Sequence, residues 1–550
     1  MGPLRAMADV IGEVDRVLRG RVGAALGPGL SVALTTRDGL LMSRAYGVAN
    51  ADSEEPVTGE TLFQIGSITK QFTAAACLRL QESGRLDVNA PVTEYLPWFE
   101  VRSRFSTAIT IHHLLTHTAG LITMMDCSPS SWWQTWALRD TELGFDPGSQ
   151  FRYSNVGYNV LQCVVQTIAG ASFDAALREL VFAPLGMEES YGEIRGDLFG
   201  RLAKGHRFSP YDDRPVPRPE KQTVVNWYEL SEGCGSVVTT PTDLARFLRM
   251  LLRGGRSDDG SGFLREETFA LMTKGHAVME GFFEGTTQGY GVLIEQSEST
   301  NAHRRILGGG ENLGFEATMY GDIEAGVGVI LCGNSFDVPW RETRWILDAL
   351  VAAAEDSPLQ VWVVDAATDP TSIGDEAAQY AGEYSGEEGA FSIAAREGRL
   401  KLAFDGEGAL LERIWGDNFL VPHPRFAHAM LTFGRGDEGR VIEAFQHGTW
   451  YRNERYRGPD AREYPSEWDA YAGHYRAFGV LVNSLRFFVR RDQFVCQSFG
   501  GYADTVLTPL GGGVFRVGGE DSPQRIAFDS VANGKALRCR ASDGDFHRIE

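Results

Sequence analysis

The feature that most restricts how this chain can fold is a change of texture near Asp356. Beyond it the apolar periodicity of amphipathic helices disappears, and short alternating segments follow one another between Gly, Asp and Asn turns. That tail repeats itself: Tyr380-Ala-Gly-Glu-Tyr384 returns as Tyr471-Ala-Gly-His-Tyr475. Each copy leads into an alternating segment (Phe391-Ser-Ile-Ala394; Val480-Leu-Val-Asn483) and then another (Leu400–Phe404; Leu485–Val489). Evenly spaced turns within a repeat predict two related, small antiparallel β-barrels. The Pro- and Gly-bearing stretch Arg457–Pro465 separates them. The domain boundaries that follow are residues 1–357, 358–462 and 463–550.

The first segment has a different grammar. Two alternating runs flank the turn Arg37-Asp38-Gly39 and predict a hairpin. Helical stretches follow at Ser67–Ser83, Asn155–Ala169, Ser172–Leu180 and Thr239–Leu252, with Gly84, Gly170 and Gly254 as stops. Strands return at Gly289–Gln296, Glu316–Tyr320 and Val327–Cys332 before a last helix, Trp340–Ala354. This order predicts one α/β domain whose sheet is assembled from both ends of its segment.

Charge narrows the partners. With 73 acidic against 52 basic residues the net charge is -21, which repels phosphate backbones and argues against nucleic acid. No apolar run reaches the roughly 18 residues of a membrane span, and the N-terminal stretch reads as an amphipathic helix, not a signal peptide. The seven cysteines are scattered and never Cys-x-x-Cys, so neither a disulfide framework nor a zinc ribbon is expected. A reducing, cytoplasmic home with no membrane partner is the expectation, and a homodimer is compatible with it.

Chemistry enters at Thr61–Lys70, where Ser67 stands three residues before Lys70 at the start of a helical run. Positions i and i+3 share a helix face, so the hydroxyl and the amine fall within reach of each other. A serine in the first turn also meets unpaired peptide N–H groups that can steady an oxyanion. Tyr153-Ser-Asn155 lies at a second loop–helix junction, after the turn Asp146-Pro-Gly148.

Together these motifs resemble the penicillin-recognising serine hydrolases, in the Tyr-x-Asn form of class C β-lactamases and D-alanyl-D-alanine carboxypeptidases. Phe63–Ala74, Gly84–Val92, Leu114–Leu121 and Gly233–Thr240 look like further signatures in the same order, over about residues 30–335. The resemblance implies a β-lactamase/transpeptidase-like catalytic domain, an antiparallel sheet flanked by helices, working without metal or cofactor. It implies Ser67 as acylated nucleophile, Lys70 as acceptor of its proton and Tyr153 as the proton relay. It also implies that Asn155 bonds Lys70 and a substrate carbonyl.

One element departs from the pattern. Relatives carry a Lys or His on the strand lining the site; the matching segment here is Leu307-Gly-Gly-Gly-Glu-Asn-Leu-Gly-Phe315, with Gly308 at the cation's place. Gly310 and the peptide N–H of Glu311 keep the oxyanion role. His303, Arg304 or Arg305 are candidates to supply charge nearby. The missing cation argues against a β-lactam or a free C-terminal carboxylate as preferred substrate.

Two β-units behind such a domain resemble the three-domain D-aminopeptidases and D-amino-acid amidases, where a loop of the last unit narrows the site. The candidate loop is Gln497–Asp504, and Asp504 or Glu311 is a candidate partner for a substrate ammonium. The expectation is a serine amidohydrolase acting through an acyl-enzyme on short amides or peptides with a D-configured amino terminus. A carboxylesterase or weak β-lactamase of the same fold, and an inactive peptide-binding protein, stay open. His113-x-x-x-His117 has metal-ligand spacing but no Glu between and no third ligand nearby, so it reads as structural. Trp132, Trp133 and Trp136 read as pocket wall or packing.

Overall fold

The strand Val327–Gly333 is buried along its whole length because the sheet it belongs to is covered on both faces. Val329 and Leu331 pack with Val32 and Leu34, and with apolar residues of the helices Met7–Gly23 (Val10, Val14, Leu18) and Trp340–Ala354 (Ile346, Leu347, Leu350). Ile330 and Cys332 join the opposite layer with Ala33 and with Phe72, Leu244 and Leu248 from the helices Thr69–Glu82 and Pro241–Leu252. Successive side chains of a strand point to opposite faces. A strand with two covered faces is therefore apolar throughout.

The computed structural model describes residues 7–23, 28–125, 128–208, 222–225, 227–279, 285–296, 303–335, 340–357, 371–426, 429–459, 463–477, 484–498, 504–542 and 544–549. The chain forms two compact units, one of Met1–Arg207, Gln222–Trp362 and Asp521–Pro523, the other of Phe208–Lys221, Val363–Glu520 and Gln524–Glu550.

In the first unit a nine-stranded sheet runs in the order Glu55–Pro56, Leu40–Asn50, Gly29–Thr36, Val327–Gly333, Phe315–Asp322, Arg304–Asn312, Leu293–Gln296, Thr286–Gln288, Ala277–Val278. All neighbours are antiparallel. The N-terminal hairpin thus meets the strand that follows all the central helices, as the sequence order predicts. Helix ends fall where the stops stand: Gly170 closes Asn155–Ala169 in the left-handed conformation, and Thr240 caps Pro241–Leu252 with proline in the first turn.

Three elements differ in detail. The helix expected from Ser67 begins as a 3-10 turn, Gly66–Ile68, before Thr69–Glu82. The helix expected over Ser172–Leu180 is α-helical at Phe173–Leu177 and widens to a π-turn at Arg178–Phe182. The strand expected at Gly289–Gln296 is shortened to Leu293–Gln296, because Gly291 (φ +73°), where a Cβ would lie 2.7 Å from the Lys70 carbonyl oxygen, turns the chain before it. Among the described residues no single helix is long and apolar enough to cross a membrane; the pair Asn155–Ala169 and Phe173–Leu185 is bent by 76°.

The second unit holds the repeat. Its first sheet has nine strands whose terminal members, Glu407–Leu410 and Glu412–Trp415, are separated in the chain by Leu411 alone, so the sheet curls into a nearly closed barrel. The eight strands from Gly473–Arg476 to Gly544–Arg548 close fully. The Tyr-Ala-Gly-x-Tyr motif does the same work twice. Tyr384 donates to the Tyr380 carbonyl (2.7 Å) and Tyr475 to the Tyr471 carbonyl (2.9 Å). Gly382 and Gly473 hold positive φ of 141° and 153° between each pair, a conformation that side chains rarely adopt.

Candidate active site

Ser67 sits in the 3-10 turn at the head of the helix Thr69–Glu82, whose residues from Thr69 to Leu78 are all buried. Burial of that helix fixes Lys70, 3% exposed, beneath the hydroxyl. Lys70 Nζ donates to Ser67 Oγ at 3.0 Å and to the Cys234 carbonyl at 2.9 Å. Tyr153 arrives from the other side and donates to the same Oγ at 2.7 Å. The sequence places it there through its neighbour. Ser154 caps the helix Asn155–Ala169 by accepting from the Gly157 N–H, and its own hydroxyl donates to the Ile122 carbonyl. The residue before that cap therefore points out of the helix end toward Ser67.

The Tyr153 ring lies between two groups. Lys70 Nζ stands 4.8 Å from its centroid, and the His117 ring 4.5 Å away at 33°. His117 takes a left-handed backbone (φ +56°), which costs an L residue about 1–2 kcal/mol, and its Nδ1 accepts the Ser154 N–H. Burial, reinforced by the Lys70 charge, pushes the His117 pKa well below its ordinary value and keeps the imidazole neutral. The nitrogen against the Tyr153 ring is thus Lys70 Nζ, and His117 is a structural support. His113 belongs to a capping box at the helix Ile111–Leu115.

The strand Arg304–Asn312 forms the opposite wall, and its three consecutive glycines each answer a steric demand. A Cβ on Gly310 would lie 1.9 Å from the Ile65 carbonyl oxygen and 2.6 Å from the Ser67 nitrogen. A Cβ on Gly309 would fall into the Trp340 ring. A Cβ on Gly308 would lie 2.4 Å from Gln71 Nε2, so the Gln71 carboxamide occupies the space into which a longer side chain at 308 would start. On the facing turn, Gly66 (φ +50°) would place a Cβ 2.4 Å from the Glu311 nitrogen. These contacts hold the backbone at Ser67 close against the backbone at Glu311, the approach that an oxyanion cradle of two peptide N–H groups needs, where each donor is worth about 3 kcal/mol.

Other candidates are placed differently. Asn155 makes no hydrogen bond with Lys70, which turns to Cys234 instead; the Asn155 Oδ1 is buried without a partner among the described residues. His303 and Arg305 are paired with Asp322, and also with Glu355 and Asp348 respectively, while the Arg304 N–H donates to Glu324. They stand at the far end of the strand from Gly310. Asp504, in the second unit, is paired with Arg490 at 2.6 Å and accepts from Gln497. Residues 499–503 of the candidate loop lie outside the described residues. Trp132, Trp133 and Trp136 are exposed by more than 40%.

The sequence reading missed the support behind Lys70. The Cys234 N–H is held by Asn159 Oδ1 (3.2 Å). Asn159 Nδ2 in turn meets Gln134 Oε1 (2.8 Å) and Glu232 Oε2 (3.3 Å), and Gln134 Nε2 meets Glu232 Oε1 (3.1 Å). Polar residues inside the otherwise apolar helix Asn155–Ala169 were the available signal. Glu229, Glu232 and Cys234 bring ligand atoms within 4.8 Å of one another. Burial, with the Glu232 charge beside it, pushes the Cys234 thiol well above its ordinary pKa.

Residues 14–353 match the family described as Beta-lactamase. Penicillin-binding protein 4 of Amycolatopsis lactamdurans is 31% identical over 252 residues, 44% of this chain and 65% of the relative. Esterase EstB of Burkholderia gladioli is 34% identical over 248 residues, 41% of this chain and 59% of the relative. The chain therefore spans less than two thirds of the length of either. The octameric penicillin-binding protein homologue from Pyrococcus abyssi superposes with a TM-score of 0.58 at 21% identity, covering 81% of this chain and 99% of that one, a likeness of fold.

Proposed function

The chain belongs to the Beta-lactamase family, and from that premise we propose that it is a serine hydrolase that cleaves an amide or ester through an acyl-enzyme on Ser67. The observation that carries this reading is the convergence of Lys70 Nζ and Tyr153 OH on one serine oxygen, at 3.0 and 2.7 Å. Ser67 Oγ attacks the substrate carbonyl carbon while its proton passes to the Lys70–Tyr153 pair. The new oxyanion lies against the Ser67 and Glu311 peptide N–H groups. Its collapse expels the amine or alcohol, which leaves with a proton from Tyr153. A water then loses a proton to Tyr153, attacks the acyl carbon and releases the acid, returning the proton to Ser67.

The finer reading is a D-aminopeptidase or D-stereospecific amino acid amidase acting on short substrates with a free amino terminus. The exposed carboxylate of Glu311, whose peptide borders Ser67, supports it as the partner for an ammonium. A carboxylesterase is the second reading, supported by the similarity to EstB and by the glycines where relatives carry a cation. A panel of D- and L-amino acid p-nitroanilides, p-nitrophenyl esters and nitrocefin separates them. The finer reading expects the highest kcat/KM on a D-amino acid anilide. Faster ester turnover selects the esterase, and no turnover with no Ser67 adduct from a fluorophosphonate refutes hydrolysis.

A further inference from the structure

Lys70 has two hydrogen bonds, and the second has an elaborate foundation. The Cys234 carbonyl that receives it belongs to a peptide whose N–H is fixed by Asn159, 1% exposed. Asn159, Gln134 and Glu232 close a ring of three hydrogen bonds at 2.8–3.3 Å, and the Cys234 thiol donates to the same carboxylate at 3.4 Å. Glu232 also anchors the loop through its own carbonyl, which accepts from the Gly235 N–H and the Ser236 hydroxyl.

We propose that Glu232 is a positioning residue for the proposed hydrolysis: its carboxyl group, clamped by Gln134 and Asn159, fixes the Cys234 peptide that orients Lys70. The proposal rests on the reading of Ser67 as nucleophile and adds to it a residue that never touches substrate. Around Glu232 stand Lys70 of the helix Thr69–Glu82, the neutral amides of Gln134 and Asn159 from two other helices, and Cys234 and Glu229 from its own segment. Burial raises the Glu232 pKa above the ordinary carboxylate value, against the pull of its three donors and of the Lys70 charge.

The test is the second-order rate of Ser67 labelling by a neutral fluorophosphonate as a function of pH, read by intact mass, on the full chain. Glu232→Gln keeps the shape of the side chain and removes the charge. Its labelling rate is expected to fall about tenfold at every pH with an unchanged thermal melt, because the Cys234 peptide that Lys70 bonds is held less firmly. Gln134→Leu lies on the opposite side of the ring and takes one donor from the carboxylate. Its labelling rate is expected to fall by less, and this variant decides the matter if Glu232→Gln does not fold. Labelling of either folded variant with the wild-type profile and plateau overturns the proposal while leaving Ser67 as nucleophile. Wild-type protein unlabelled at every pH overturns the nucleophile reading itself, and this inference with it.

Discussion

Replacing Tyr153 by Phe is the sharpest single change available at the site. Phe keeps the ring that packs 4.8 Å from Lys70 Nζ and 4.5 Å from His117, so the local packing is preserved. It removes one atom, the hydroxyl that stands 2.7 Å from Ser67 Oγ. If that hydroxyl carries the proton to the leaving group, its loss forfeits general acid–base catalysis, typically about 10²–10⁴ in rate, or roughly 3–5 kcal/mol of transition-state stabilisation. If it is only a hydrogen-bond partner, about 1 kcal/mol and a factor of five or so are at stake. Steady-state kinetics on the preferred ester or anilide, with an unchanged thermal melt as control, separates the two. The account expects kcat/KM to fall at least a hundredfold. A fall of less than tenfold refutes the assignment of Tyr153 as proton relay.

Three further outcomes follow from the same geometry. Gly310→Ala places a methyl group 1.9 Å from the Ile65 carbonyl and 2.6 Å from the Ser67 nitrogen, both backbone atoms, so denaturant melts should record a loss of about 3 kcal/mol together with loss of activity. Gly308→Ala meets the end of the Gln71 side chain first, with the Met319 carbonyl oxygen no nearer than 3.4 Å, and the same melts should move by less than about 1 kcal/mol. His112 is held at a pKa of about 4 by burial and by the neighbouring His276, His113 and Lys274, and its Nδ1 pairs with the Tyr290 hydroxyl. The folded state resists a proton that the unfolded chain accepts near pH 6.5. Stability is therefore full above that value and falls as the pH drops toward 4. Urea midpoints across this range should decline in wild type and decline less in His112→Asn.

Much of this was legible in the residues because local signals and tertiary roles coincided. Tyr-Ala-Gly-x-Tyr marked the repeat because one backbone conformation and one hydroxyl-to-carbonyl bond are needed at the start of each barrel. Ser67, Lys70 and Tyr153 were readable because each sits at a helix start whose cap or first turn is written in its neighbours. What escaped was set by contacts between segments far apart in sequence. Nothing in Gly308-Gly-Gly310 announces that Gln71, Trp340 and the Ser67 backbone will fill the space its side chains would have used. Asn155 suits its motif, yet Lys70 turns to a carbonyl 164 residues away, and a backbone acceptor leaves no mark in a sequence. The Gln134–Asn159–Glu232 ring is similarly assembled from three separate segments.

The central claim is that Ser67 is the nucleophile. Intact-mass and peptide mass spectrometry after treatment with a fluorophosphonate test it directly, with Ser67→Ala alongside. The account predicts a single adduct on the peptide carrying Ser67, absent from the variant, with hydrolysis abolished in step. Full hydrolysis by Ser67→Ala, or an adduct on another residue with Ser67 unmodified, would contradict it.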